Sequence, residues 1–219
     1  MDIEENVKRI ISNIPKNITL VAVSKTKPLE DIKKVYDLGI RDFGENKVQD
    51  LVYKYDNLNK DIRWHFIGTL QRNKVKYLVD RAYLIHSLDS IKLLEQIEKE
   101  YSKNGKIANV LIEINIGKEE SKSGILEENL SSLIQKVELC SSVKVKGLMA
   151  IIPKGDESIN RNYFKKVKNI WDNLKLKDFK NITMEILSMG MTHDYKYAIE
   201  EGTTLIRVGE GIFGKRNVK

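Results

Sequence analysis

Lys25 is the side chain best placed for covalent chemistry in this sequence. Within residues 19–28, TLVAVSKTKP, Lys25 ends an almost unbroken apolar run, and polar residues and Pro28 come directly after Lys25. Such a run predicts a buried strand with the lysine at its mouth. Burial disfavours the ammonium form of a lysine, so a neutral fraction can attack an aldehyde and form a Schiff base. An ordinary surface lysine just beyond the strand is the alternative, and spacing alone does not decide between them.

Two further predicted strands carry side chains that can contact a ligand. The segment FGEN places Glu45 and Asn46 at the end of the second strand, and WHFIG places His65 within the third. Asn46 can hydrogen-bond a ring oxygen or cap the following helix. His65 lies between aromatic residues, which favours a packed core histidine over a catalytic one. The three histidines have no metal-ligand spacing, so the sequence predicts no metal site.

Two glycine-containing loops near the end of the chain have the composition of a phosphate site. Residues 187–194, LSMGMTHD, place Ser188 and Gly190 between a predicted strand and a predicted helix. Residues 207–214, RVGEGIFG, place Arg207 and three glycines at the end of the last strand and beyond. Small residues let backbone N–H groups approach an anion, and a helix N-terminus attracts negative charge. For either loop alone, an ordinary tight turn is the alternative.

These residues lie in a regular alternation of short apolar segments and longer segments with helical spacing. The clearest predicted helices are 2–13, 89–103, 159–174 and 194–201. Asp89 or Ser90 can cap the second of these, and Gly202 is a usual stop for the last. The predicted strands are 18–24, 39–44, 63–68, 82–86, 108–116, 145–151, 184–188 and 204–209.

About eight strands alternating with about eight helices predict an α/β fold in one domain spanning residues 1–219, since no linker-like segment interrupts them. The count matches a (β/α)8 TIM barrel, here with an extra N-terminal helix. A doubly wound open sheet is the alternative, but no G-x-G-x-x-G follows the first strand. Closure of a barrel places strand one beside strand eight, so Lys25 and the turn at 207–209 are expected to be neighbours.

Composition narrows the classes of partner. The net charge is +7, with 41% hydrophobic and 32% charged residues, and no apolar run is long enough to span a membrane. Basic residues alternate with acidic ones, which is typical of solvated helix faces and not of a nucleic-acid surface. We therefore expect a cytoplasmic protein that binds neither nucleic acid nor membrane. The single cysteine, Cys140, is expected to be structural. A monomer is expected, since no partner surface stands out.

Six motifs in order, VAVSKTKP, FGENKVQD, WHFIGTLQRNK, GLMAIIP, LSMGMTHD and RVGEGIFG, resemble the pyridoxal 5′-phosphate (PLP) homeostasis protein family. That family is similar to the N-terminal barrel of alanine racemase, and the resemblance runs from near residue 15 to near 214. It implies a (β/α)8 barrel that binds PLP as a Schiff base on Lys25. The other cofactor-binding residues that it implies are Asn46 beside the ring, Arg207 at the pyridine nitrogen, and Ser188, Met189, Gly209 and Glu210 around the phosphate.

The resemblance implies that the phosphate is bound mainly through backbone amides and the Ser188 hydroxyl. Lys27 and Lys122 match further family lysines. Glu210 departs from the pattern, because family members usually have a small hydroxyl residue there and an ionised carboxylate repels phosphate. We expect the Glu210 backbone N–H to serve while its side chain turns outward.

The resemblance implies intracellular PLP homeostasis, by buffering the cofactor and delivering it to PLP-dependent apo-enzymes, without catalytic turnover. Racemisation in the related enzyme needs a second acid–base group from a C-terminal β-domain, and the sequence, ending at Lys219, is expected to leave no room for it. A PLP-dependent amino-acid racemase of low activity is the alternative. A sugar-phosphate barrel enzyme without a covalent cofactor is a more distant one.

Overall fold

Eight parallel strands form a closed barrel. A computed structural model of the chain describes residues 2–215. The strands are short runs rich in β-branched and other apolar residues, as in TLVAV of the first, and each is buried along most of its length. They are β1 (Thr19–Val23), β2 (Asp42–Glu45), β3 (Arg63–Phe66), β4 (Leu84–Leu88), β5 (Ala108–Ile114), β6 (Val143–Ala150), β7 (Ile182–Ser188) and β8 (Leu205–Val208).

Helices surround the barrel, and most have the apolar stripe that the sequence predicts. They are α1 (Ile3–Ser12), α2 (Leu29–Asp37), α3 (Val48–Asn57), α4 (Ile91–Lys103), α5 (Glu127–Val137), α6 (Glu157–Lys175), α7 (Tyr195–Glu200) and α8 (Glu210–Phe213). Between β3 and β4 the connection is a short 3-10 helix, Arg72–Tyr77, and not an α-helix. The first α-helix precedes β1, so the predicted extra N-terminal helix is confirmed.

Strand pairing confirms the predicted barrel. The strands are hydrogen-bonded in sequence order, and β8 pairs in parallel with β1, with Thr19 opposite Leu205 and Ala22 opposite Val208. Helix α1 packs against α2 and α8, which follow β1 and β8, so it covers the outside of the closing seam. The Asn6 side chain fixes this contact by donating to the carbonyl of Ile212 at 3.1 Å.

Some element boundaries differ from the sequence prediction. Strand β2 begins at Asp42 and not at residue 39, because Gly39 has a φ of +95°, which a strand residue does not adopt. Helix α6 begins at Glu157, two residues early, because the Asp156 side chain accepts from the Ile159 N–H and caps it. Ser90, one of the two predicted caps of α4, accepts from the Leu93 N–H.

Two separate apolar clusters form the core. The larger one fills the space between strands and helices, and Cys140 lies buried in it as predicted. A small cluster of Leu84, Leu111, Met149 and Ile186 lies inside the barrel. Much of the remaining interior is polar, which is unusual for a barrel core and matters for the site below. Within residues 2–215, no helix combines the length and the apolar character needed to cross a lipid bilayer.

Candidate functional site

A cleft of about 240 Å³ opens at the C-terminal ends of the strands, where barrel enzymes and binding proteins place their sites. Of the seven sequence-predicted site residues, the structure brings five to this cleft: Lys25, Asn46, Arg207, Gly209 and Glu210. Lys27 also lines it, and donates from Nζ to the carbonyl of Phe213 at 2.9 Å. The predicted meeting of Lys25 with the turn after β8 is therefore confirmed.

A buried ion pair holds the backbone directly before Lys25. Lys54, on α3, donates from Nζ to Glu45 Oε1 at 2.6 Å and to the Ser24 carbonyl at 2.8 Å. The Ser24 hydroxyl donates to the same Glu45 oxygen at 2.6 Å, and the Ser24 N–H donates to the Gly44 carbonyl at 3.0 Å. We call Ser24, Glu45 and Lys54 the ionic anchor. It fixes the point from which the half-buried Lys25 side chain extends into the cleft.

The charged groups of the ionic anchor are buried. Glu45 is fully buried and Lys54 is 4% exposed. Burial raises the pKa of Glu45, and the neighbouring Lys54 ammonium opposes that rise. The second carboxylate oxygen, Oε2, is buried without a hydrogen-bond partner among residues 2–215. Sequence analysis missed Lys54, because a lone lysine in a helical segment is typical of a solvated face.

Asn46 has a buried polar atom in the wall of the cleft. Its Oδ1 is buried and has no hydrogen-bond partner within the described chain, although the residue lines the cleft. Gly68, after β3, packs against the Asn46 backbone so closely that a Cβ there would lie 2.2 Å from the Asn46 carbonyl oxygen. Gly68, the glycine of WHFIG, is therefore required, because a side chain at this position would clash with the Asn46 backbone. A buried side-chain amide in a cleft wall is suited to a ligand's polar group.

Arg207 lines the same cleft while being only 4% exposed. It donates from Nη1 to the Ser188 carbonyl at 2.9 Å and to the Ser188 hydroxyl at 2.5 Å, and from Nη2 to the Ala150 carbonyl at 3.1 Å. Burial lowers the pKa of Arg207 to about 10, and the nearby Glu113 opposes that change. The guanidinium is therefore protonated at neutral pH and has donors only.

Ser188 and Met189 lie behind the cleft wall, both fully buried. The Ser188 hydroxyl is engaged by Arg207, and the Met189 N–H donates to the Leu205 carbonyl at 3.1 Å. These two residues support the wall and do not line the cleft in this structure. Their predicted contacts with a phosphate stay predictions.

The loop after β7 lines the cleft through three residues outside the predicted site: Met191, Thr192 and His193. Gly190 has a φ of +85°, and a Cβ there would lie 2.7 Å from Ala198 Cβ, so this turn requires glycine. Thr192 joins the two glycine loops by accepting from the Gly211 N–H at 3.1 Å. The motif LSMGMTHD already indicated this loop, although the site residues predicted within it are Ser188 and Met189.

Glu210 and His193 stand at the mouth of the cleft. Their side chains are 42% and 82% exposed, and Glu210 Oε2 lies 3.7 Å from His193 Nε2. The Glu210 carboxylate can thus contact solvent and the neighbouring imidazole.

Lys122 does not line the cleft; its Nζ donates to the Ile152 carbonyl at 3.3 Å. Within residues 2–215, no group of three or more His, Cys, Asp and Glu side chains is arranged to hold a metal ion.

Comparison with known proteins identifies the family. The family model for the N-terminal domain of alanine racemase matches residues 1–217. A pyridoxal phosphate homeostasis protein of Aquifex aeolicus is 45% identical over 200 residues, which are 90% of this chain and 86% of that protein. The chain belongs to the pyridoxal phosphate homeostasis protein family. Its recognition from six sequence motifs is confirmed.

Solved structures agree with this family assignment. PipY of Synechococcus elongatus, in a structure with PLP bound, superposes with a TM-score of 0.89 at 31% identity, covering 97% of this chain and all of that one. An alanine racemase of Clostridium difficile superposes with a TM-score of 0.80, but at 14% identity and over 57% of its own chain. The likeness to the racemase shows the shared barrel alone, whereas the family relationship extends over nearly the whole chain.

Proposed function

We propose that this protein binds PLP in the cleft, holds it as a Schiff base on Lys25, and serves intracellular PLP homeostasis by buffering and delivering the cofactor. The observation that carries the proposal is that Lys25, Asn46 and Arg207 line one cleft together with two glycine loops. A family relative with PLP bound and relatives named for PLP homeostasis support it.

The residues of the cleft fit the parts of PLP. The two glycine loops, joined through Thr192 and Gly211, offer backbone N–H groups at the position where barrels bind phosphate. The Asn46 amide oxygen, which has no hydrogen-bond partner within residues 2–215, fits a donor on the ring. Lys25 supplies the amine for the aldehyde, and Arg207 supplies a donor for the pyridine nitrogen.

Arg207 favours a less reactive cofactor. When bound, PLP supplies an electron sink for carbanions, and this sink is strongest with a protonated pyridine nitrogen and an acidic partner. Arg207 is a protonated donor at neutral pH and cannot provide such a partner. The residues around it, Ser188 and Ala150, accept from the guanidinium and so keep its donors in place.

Borohydride trapping tests the covalent assignment. Purified protein incubated with PLP should turn yellow, and reduction should leave one adduct that mass spectrometry maps to Lys25. Lys25→Ala should lose the colour and the adduct. Lys27→Ala is the matched control, because Lys27 lines the same cleft but donates to the Phe213 carbonyl. An adduct that persists in Lys25→Ala, or that maps to Lys27, would contradict the assignment.

Delivery requires a separate experiment. The PLP-loaded protein is mixed with a PLP-dependent apo-enzyme whose activity reports cofactor gain. Buffering alone predicts that activation follows the rate at which the loaded protein releases PLP into solution. Direct delivery predicts activation faster than that release, and this faster rate should persist when a scavenger of free PLP is present.

A weak amino-acid racemase is the second candidate function. The barrel shared with alanine racemase favours it, together with Lys27 and His193, which are titratable groups lining the cleft. Incubation with single enantiomers of amino acids separates the two functions. Turnover that rises with protein dose and disappears in Lys25→Ala would establish the racemase, and its absence in PLP-loaded protein favours the non-catalytic carrier.

A further inference from the structure

A continuous row of buried polar side chains crosses the barrel interior below Arg207. The Ser188 hydroxyl, which accepts from Arg207, lies 3.2 Å from His86 Nδ1, and His86 Nε2 lies 2.9 Å from His65 Nδ1. His65 Nε2 lies 2.9 Å from Asp42 Oδ1. Every member is at most 7% exposed. We call Arg207, Ser188, His86, His65 and Asp42 the histidine chain.

The two ends of the histidine chain set the direction of donation. Arg207 can only donate. Burial alone would raise the pKa of Asp42, but hydrogen bonds from Arg63 and His65 outweigh it and lower that pKa, so Asp42 is an ionised acceptor. With neutral histidines, one arrangement satisfies every contact: each imidazole donates through Nε2 and accepts through Nδ1. The reverse direction would point the lone pair of His65 Nε2 at the Asp42 carboxylate.

The surroundings keep His86 neutral. It is fully buried between His65 and the Ser188–Arg207 pair. Burial lowers the pKa of His86 well below its usual value, and the Arg207 charge lowers it further. A neutral His86 accepts a hydrogen bond from the Ser188 hydroxyl, which leaves the lone pairs of the Ser188 oxygen free to accept from Arg207.

We propose that Ser188, His86, His65 and Asp42 are positioning residues that hold the Arg207 guanidinium in one orientation toward the cofactor ring. This inference rests on the proposed function, since the ring in question is that of PLP. It couples the cleft to the opposite face of the barrel, where Asp42 and His65 line a second cleft of about 260 Å³ together with Arg63 and Tyr83. A change in Asp42 or His65 at that face is transmitted to Arg207 without any contact with the cofactor.

Nitrogen NMR of the cofactor-free protein tests the direction of the chain independently of PLP. Long-range 15N–1H spectra distinguish the two neutral tautomers of each histidine. His65 and His86 should both carry a proton on Nε2 and none on Nδ1 at pH 7.5. His193, which is 82% exposed, serves as the internal control and should show averaged tautomers. A neutral Nδ1–H tautomer at either buried histidine would overturn the inference.

Cofactor spectra of three variants test the effect on Arg207. His86→Leu removes the middle of the histidine chain. We expect this variant to bind PLP about tenfold more weakly, which corresponds to the loss of one charge-assisted hydrogen bond. The absorption maximum of the bound PLP should also shift. Asp42→Asn, of equal size and at the far end, should shift the absorption maximum in the same direction. Arg63→Gln is the control, because it removes the other partner of Asp42 and leaves the chain intact; its PLP affinity should stay within about twofold of the wild type.

The outcomes separate this inference from the proposed function. If wild-type protein binds PLP and both His86→Leu and Asp42→Asn bind it with unchanged affinity and spectrum, the positioning role is wrong. If wild-type protein does not bind PLP, the proposed function fails and the positioning role, which needs the bound ring, fails with it, whatever tautomers NMR finds. Should His86→Leu not fold, as judged by its thermal unfolding, the spectrum of Asp42→Asn decides.

Discussion

The ionic anchor and the histidine chain both support the cleft, but they are built in opposite ways. Under Lys25, the charges of Glu45 on β2 and Lys54 on α3 meet beside Ser24, which follows β1. Under Arg207, hydrogen-bonded side chains extend across the barrel interior to Asp42 on β2. Coulomb attraction is strong when buried but has little directional preference, whereas hydrogen bonds fix direction. The difference matches the two proposed tasks, in which Lys25 needs a fixed backbone and Arg207 needs oriented donors.

The largest effect should come from breaking the ionic anchor. Glu45→Gln leaves the Lys54 ammonium buried without a counter-charge, and we expect unfolding to become easier by about 3–5 kcal/mol. Urea denaturation followed by circular dichroism measures it. The double variant Glu45→Leu with Lys54→Met replaces the pair by apolar groups and should recover most of the loss. A double variant as unstable as Glu45→Gln would show that packing, and not the unpaired charge, is responsible.

Glu113 is a buried carboxyl close enough to Arg207 to affect the charge of the guanidinium. Burial raises the pKa of Glu113 to about 7 from its ordinary 4.5, Asp89 raises it further and Arg207 opposes. The folded protein therefore retains a proton that the unfolded chain releases. This stabilisation is complete below the unfolded pKa and is lost as the pH rises through about 7.

Urea midpoints of the wild type and Glu113→Gln, compared between pH 4 and pH 8, measure this loss. The wild type should lose about 3 kcal/mol relative to Glu113→Gln over that interval. The comparison with Glu113→Gln cancels other titrating groups, including Glu45, whose pKa is also raised by burial. A difference between the two proteins that is constant with pH would contradict the assignment.

Disrupting the histidine chain should lower the free energy of unfolding by less than disrupting the ionic anchor does. Ser188→Ala removes an acceptor from Arg207 and a donor from His86, and we expect a loss of about 1–3 kcal/mol in the free energy of unfolding. The loss stays smaller than for Glu45→Gln because Arg207 keeps the Ser188 and Ala150 carbonyls as acceptors. Urea denaturation under the same conditions compares the two variants, and a loss for Ser188→Ala equal to that of Glu45→Gln would remove the distinction.

The sequence was sufficient for the barrel and for the meeting of Lys25 with Arg207. Short apolar runs alternating with helical spacing predict the strands, and barrel closure then makes β1 and β8 neighbours whatever their separation along the chain. The supports below them were not predictable in the same way. Lys54 has no local pattern that distinguishes it from a surface lysine. His65 and His86 meet because of the register between β3 and β4, in which His65 lies opposite Leu84.

The smallest effect is expected from Arg63, which lies outside the histidine chain and binds its last member, Asp42. Arg63 forms two hydrogen bonds to Asp42, at 2.7 and 2.5 Å, yet its side chain is 46% exposed. Arg63→Gln should therefore lower the free energy of unfolding by less than about 1 kcal/mol at pH 7. The loss should be largest at neutral pH and should shrink in acid. The folded pKa of Asp42 is lowered, so its stabilisation is present at neutral pH and is lost as the pH falls through that pKa.

Removing Arg63 brings the Asp42 pKa closer to its ordinary value, so the stability difference between wild type and Arg63→Gln should disappear as the pH falls and Asp42 is protonated in both proteins. Urea denaturation followed by circular dichroism, at pH 7 and in acid, measures this difference, with Arg41→Gln, which breaks an exposed pair with Asp61, as the matched control. A loss of several kcal/mol at pH 7 would mean that the surface arginine, and not His65, is the main partner of Asp42. The histidine chain would then be held from outside the barrel, and its contrast with the ionic anchor would no longer stand.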